Sequence, residues 1–161
     1  MRETILLLIE KDSRLTAKEL AVLIGATEEE VAIELKSLTD ERIICGYNTL
    51  INWEKTEKEF VTALIEVKVT PVRGMGFDKV ASRIYRYDEV MAVYLMSGGF
   101  DLTVVVEGKT IKEVAHFVSD KLATLESVLS TATHFVLKKY KDYGVIFEKE
   151  KKGDERMVIL P

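Results

Sequence analysis

At Phe60 the hydrophobic period of this chain changes from about 3.6 residues to 2, and no other feature constrains its fold as tightly. From Phe60 to Val69, Val61, Ala63, Ile65, Val67 and Val69 alternate with Thr62, Leu64, Glu66 and Lys68, the pattern of a strand with one strongly buried face. Pro71 and the glycines Gly74 and Gly76 end it. Phe77, Val80, Ala81, Ile84 and Tyr85 then recur at helical spacing. Val90 to Met96 and Asp101 to Glu107 are two further strands. The capping box Thr110-Ile-Lys-Glu113 opens a helix striped with Ile111, Val114, Ala115, Val118 and Leu122, and Val128 to Leu137 is a last β-branched run. The order is β-α-β-β-α-β, the ferredoxin-like split unit. Strands two and three are apolar at most positions on both faces, so helices can cover one side while the other needs a partner sheet, which predicts a dimer.

Ahead of the change, Arg2 to Arg42 reads as three helices. Thr16-Ala-Lys-Glu19 and Thr27-Glu-Glu-Glu30 are capping boxes, in which a hydroxyl and a glutamate three residues on satisfy each other's orphan backbone N–H groups. The expected spans are Glu3–Lys11, Ala17–Ile24 stopped by Gly25, and Glu28 to about Glu41. Two helices joined by Gly25-Ala26-Thr27 fit a helix-turn-helix, and the same pattern fits a plain three-helix bundle. Ile43, Ile44, Tyr47 and Leu50 suggest a short strand or wing. The expected parts are therefore residues 1–50, a linker at 51–59 holding Trp53, the ferredoxin-like domain at 60–144, and a tail from Val145 to Pro161.

The totals exclude several classes. The 161 residues hold two small domains or one ordinary one, and a composition 47% hydrophobic and 31% charged is that of a soluble globular protein. Ile5 to Ile9 is too short for a membrane span or signal segment, so a cytoplasmic protein without membrane association is expected. Cys45 stands alone and reads as a small buried hydrophobe; with only His116 and His134, widely separated, no metal-ligand spacing exists and no cofactor is called for. No nucleophile motif or phosphate loop is present, and an enzyme is not expected.

Ser97-Gly98-Gly99-Phe100-Asp101 joins the middle strands. The glycine pair suits a primed hairpin turn with Asp101 bonded to the turn backbone. It equally lets backbone N–H groups approach a ligand carboxylate while Asp101 faces an ammonium group, holding an α-amino acid by its zwitterion.

In combination these pieces resemble the Lrp/AsnC (leucine-responsive/asparagine-responsive) regulator family. Ser13-Arg-Leu-Thr-Ala-Lys-Glu-Leu-Ala21 is similar to its second-helix start, Leu38-Thr-Asp-Glu-Arg-Ile-Ile-Cys-Gly-Tyr47 to its Ile-Ile-x-Gly-Tyr signature, Ser97 to Asp101 to its Gly-x-Tyr/Phe-Asp turn, and Lys138-Lys-Tyr-Lys to its closing strand end. The resemblance covers Arg2 to roughly Gly144. It implies an α+β chain, with an N-terminal winged helix-turn-helix and a C-terminal ferredoxin-like, ACT-like domain that senses ligand and dimerises. It further implies a sequence-specific transcription regulator that binds DNA, forms a homodimer or a higher multiple of dimers, and responds to a small effector such as an amino acid. Ser97, Gly98, Gly99 and Asp101 would hold that effector, with Thr131 and Thr133 of the last strand as weaker candidates. Thr27, Glu29, Ala32, Ile33, Lys36 and Ser37 would meet DNA. Some tetrapyrrole decarboxylases look like this family, but His116 and His134 lie in a helix and a strand where packing or exposure explains them.

One departure matters. Family recognition helices usually carry basic residues, whereas Thr27 to Arg42 holds six acids against two bases, and Met1 to Leu50 ten acids against six bases. That deficit equals the net −4 of the chain, so weak DNA binding with a shallow salt dependence is expected. The alternative is an oligomeric small-molecule-binding protein whose helix-turn-helix has lost DNA binding.

Overall fold

Thr16 and Thr27 start two of the N-terminal helices by the same device. Each threonine hydroxyl accepts the N–H of the glutamate three residues on, and that glutamate accepts the threonine's own N–H, at 2.8 Å for Glu19 and 2.9 Å for Glu30. The computed structural model describes residues 1–71 and 76–148 and forms two compact units, Met1–Ile51 and a second beginning at Asn52. In the first unit α1 spans Arg2–Lys11, α2 Ala17–Ile24 and α3 Glu28–Asp40. Their spacing of apolar residues buries Ile5, Leu20, Val31 and Leu38 completely, with Ile9, Ala21 and Ile44 beside them. The carbonyl of Leu38 accepts both the Ile43 and the Ile44 N–H, which turns the chain after α3 and sets Ile44 into this core.

No strand forms from Ile43 to Leu50, because the three helices offer no strand edge for that segment to pair with. Cys45 is exposed rather than buried, and its thiol donates to the Arg42 carbonyl at 3.1 Å.

The second unit contains β1 (Val61–Val69), α4 (Asp78–Ile84), β2 (Val90–Leu95), β3 (Leu102–Gly108), α5 (Ile111–Phe117), continued by one π-helical turn at Val118–Leu122, and β4 (Val128–Phe135). The sheet order β2-β3-β1-β4, antiparallel throughout, is that of the ferredoxin-like fold. Register follows the pleat. Ile65 sits between Val104 and Thr133, so Ala63, Ile65, Val67, Leu102, Val104 and Val106 share the face that packs on Val80, Ile84, Val114, Phe117 and Leu122. Each fully buried isoleucine or leucine there contributes about 2–3 kcal/mol. Leu64, between Val105 and His134, and Tyr94, opposite Thr103, stand on the other face, 41% and 51% exposed. Among the described residues of this unit, α4 and α5 both pack on the opposite face.

The segment expected as a linker packs on this unit. A 3-10 turn at Trp53–Lys55 puts the Trp53 ring edge-on to Phe60 at 6.3 Å, and Asn52 donates to the Phe147 carbonyl at 3.5 Å. Gly144, taken from sequence as the domain end, lies inside a hairpin of β5 (Lys141–Asp142) and β6 (Val145–Ile146), with Tyr143 and Gly144 both at positive φ as its tight turn requires. The strand suggested at Met157–Leu160 lies outside the described residues.

Candidate DNA and effector sites

The outward face of α3 follows from its buried one. Val31 and Leu38 point into the core, so Glu29, Ala32, Ile33 and Lys36 face away from it, Ile33 being 64% exposed. Lys36 binds Asp40 at 2.7 Å, which raises its pKa and occupies its charge. Ser37 is half-buried on the flank and donates to Glu41 at 2.7 Å, while the Thr27 hydroxyl is committed to its cap. Of the expected DNA-facing set, the structure therefore gathers Glu29, Ala32, Ile33 and Lys36 on one open surface.

The cations of this unit are largely engaged. Arg2 lies 2.6 Å from both Glu34 and Glu41, and hydrogen bonds from Arg2 and Ser37 hold the Glu41 carboxyl below its ordinary range. Arg14 grips Asp12 with two guanidinium N–H groups at 2.8 Å, lowering that carboxyl to about 2. Lys11, Lys18 and Arg42 make no ion pair among the described residues. Phosphate contacts position a protein on DNA and base contacts specify sequence, which makes those three the candidates of this unit for the positioning role.

At the β2–β3 connection the Met96 N–H donates to the Asp101 carbonyl at 2.8 Å, enclosing the four residues Ser97–Phe100. The two-residue primed turn therefore does not form. Gly98 needs its glycine, at φ 147°; Gly99 does not have positive φ, and a Cβ there would meet nothing within 4 Å. The Asp101 side chain makes no hydrogen bond to its own turn among the described residues. One oxygen, Oδ2, accepts the Val69 N–H at 2.9 Å while the Asp101 N–H donates to Val67 at 3.0 Å, so this side chain closes the end of β1. The other oxygen makes no hydrogen bond among the described residues. Ser97, Gly98 and Gly99 are exposed beside it.

Thr131 pairs with Val67 and Thr133 with Ile65, so both lie on the helix-covered face of the edge strand β4. Thr131 is at the same sheet end as Asp101 but across β1, about 10 Å away at two strand spacings; Thr133 is farther in. The structure thus unites Ser97, Gly98, Gly99 and Asp101 and leaves the threonines apart. A feature absent from the sequence reading is a cavity of about 560 Å³ at the opposite end of the sheet, between β3 and α5. Among the described residues no group of three or more His, Cys, Asp or Glu is arranged for a metal ion, and no helix is long and apolar enough to cross a membrane.

The profile of the Lrp/AsnC ligand binding domain matches residues 62–146. The chain is 49% identical over 158 residues to the HTH-type transcriptional regulator YugG of Bacillus subtilis, covering 98% of this chain and 95% of that protein. It is 26% identical over 137 residues to the proline dehydrogenase transcriptional activator of Rhizobium radiobacter, covering 85% and 87%. Among solved structures, the transcriptional regulator NMB0573 of Neisseria meningitidis in complex with L-Met superposes with a TM-score of 0.68 at 24% identity, over 88% of this chain and 90% of that one.

Proposed function

The chain belongs to the Lrp/AsnC family of HTH-type transcriptional regulators, and from that premise we propose that it is a cytoplasmic, sequence-specific DNA-binding regulator controlled by an amino acid bound at the Ser97–Asp101 turn. Glu29, Ala32, Ile33 and Lys36 of α3 enter the major groove. The apolar positions contact thymine methyls, Glu29 accepts from cytosine, and Lys11, Lys18 and Arg42 meet phosphate. Two copies pair through the open sheet face around Leu64 and Tyr94, which removes that apolar surface from water and gives the two-fold symmetry a half-site pair requires.

The observation that carries the effector reading is the contrast between Gly99 and Asp101. Nothing among the described residues demands glycine at 99, and Asp101 is fixed by one oxygen with the other left over among them. Exposed backbone N–H groups of Gly98 and Gly99 receive the ligand carboxylate, and the second Asp101 oxygen receives its ammonium. The relative solved with L-Met supports an amino acid as the ligand class. Effector binding at contacts between dimers favours one assembly and hence one spacing of the α3 helices.

Asp101→Asn tests this, because the amide oxygen still accepts the Val69 N–H while the charge is gone. The expected result is a melting temperature within about 2 °C of the parent and a response of DNA binding to amino acids reduced at least about tenfold. Asp101→Ala, which also orphans the Val69 N–H, costs about 1–3 kcal/mol of stability. An Asn variant with an undiminished amino-acid response overturns the assignment of the site. The second reading, a ligand-binding oligomer that has lost DNA binding, is favoured by one observation, the pairing of Arg2, Arg14 and Lys36 with acids of their own unit.

A further inference from the structure

We infer that the cavity at the far end of the sheet is a second ligand site, shaped for an organic cation carrying an aromatic or branched apolar arm. It is independent of the Ser97–Asp101 turn, which closes the other end of β3. Its floor is apolar: Val106 of β3, Val114 and Phe117 of α5, and Phe60 at the entry to β1. The Phe117 ring is held edge-on to Tyr87 with centroids 5.5 Å apart, so the floor is rigid. A volume of about 560 Å³ falls within the roughly 300–1,000 Å³ of small-molecule sites.

The rim decides the class of ligand. Six carboxylates line the cavity against three lysines. Two of those lysines are already engaged: Lys121 with Glu89 and over the Tyr87 and Phe117 rings, Lys58 4.1 Å above the Trp53 ring. Glu59 and Asp88 make neither hydrogen bond nor ion pair among the described residues, Asp88 acting on Lys121 only through space, and although Lys58 and Lys109 are likewise outside any ion pair there, the six acids exceed the three lysines and leave the lining net acidic. A further carboxylate would add to that acidic excess, whereas an ammonium is drawn to it while its arm lies against the half-buried ring of Phe60 above the buried floor. The backbone at the rim is also irregular. Ala123 donates to Val118 at 2.7 Å through a π-helical turn, a rare geometry frequent at functional sites, and this turn carries Asp120 and Lys121 to the cavity edge.

The test is a calorimetric titration of the full-length oligomer with phenethylamine and, separately, with phenylacetate, which has the same ring and the opposite charge. Saturable binding of phenethylamine at one site per chain is expected, with none of phenylacetate. The paired substitution Glu59→Gln and Asp88→Asn, both at exposed positions, should weaken the amine about tenfold, and Asp101→Asn should leave it unchanged. Absence of saturation below about 10 mM amine, equal binding of both probes, or full affinity in the Gln/Asn variant each overturns the inference. Loss of amine binding in Asp101→Asn would also overturn it, since the two sites would then be one.

Discussion

Replacing Glu29 with lysine and Ile33 with arginine will tighten DNA binding at least about tenfold at low salt and steepen its salt dependence. Both side chains lie on the open face of α3, and neither contributes to the core of Ile5, Leu20, Val31 and Leu38. The swap should therefore leave melting and oligomeric mass unaltered, within about 0.5 kcal/mol. Its effect on binding is large because the parent unit carries more acids than bases and ties up Arg2, Arg14 and Lys36 internally. Each new phosphate contact adds about 0.9 to the slope of log affinity against log salt, so four contacts in a dimer steepen it by about 3.6. Fluorescence anisotropy at several salt concentrations reads both quantities. Unchanged affinity and slope would show that α3 does not face DNA.

Leu38→Ala will abolish DNA binding by unfolding the first unit while the second melts as before. Leu38 is fully buried, one of only seven buried residues in this core among those described. Truncating a leucine in such a site costs about 2–5 kcal/mol, against about 3–8 kcal/mol available to some 50 residues. The same truncation at Leu23, which is 59% exposed on α2, should cost under about 0.5 kcal/mol and leave DNA binding intact. Calorimetry with two resolved transitions makes the comparison. DNA binding that survives Leu38→Ala with the first transition gone would separate the helical unit from the function assigned to it.

What the sequence made legible was what local pattern encodes. The alternation from Val61 to Val69 announced β1 and its buried face, since a period of 2 cannot be satisfied by a helix. Thr16 and Thr27 marked the starts of α2 and α3 to the residue, because each cap is complete within four residues. At Thr110 the same motif closes only halfway, as the Glu113 carboxylate reaches past the cap to the Lys109 N–H at 2.6 Å. Features built from distant segments escaped. The bond from Val69 to Asp101 spans 32 positions, and it is this bond, not a primed turn, that fixes the aspartate. The strand expected after Arg42 failed for a similar reason, because pairing needs an edge that no local pattern supplies. The cavity joins residues from before β1, the end of β3 and both helical pieces after it, so only the folded chain shows that Phe60, Val106 and Phe117 share a floor.

The central claim, a DNA-binding regulator governed by an amino acid despite an acidic helix, is met most directly by one experiment. The purified oligomer is titrated onto the DNA upstream of its own gene across a salt series, with and without a mixture of amino acids. The account predicts saturable binding whose affinity falls as salt rises, protection repeating at about 10 base pairs, and a change in affinity when amino acids are added. Folded, oligomeric protein that fails to bind this DNA even at low salt would contradict it.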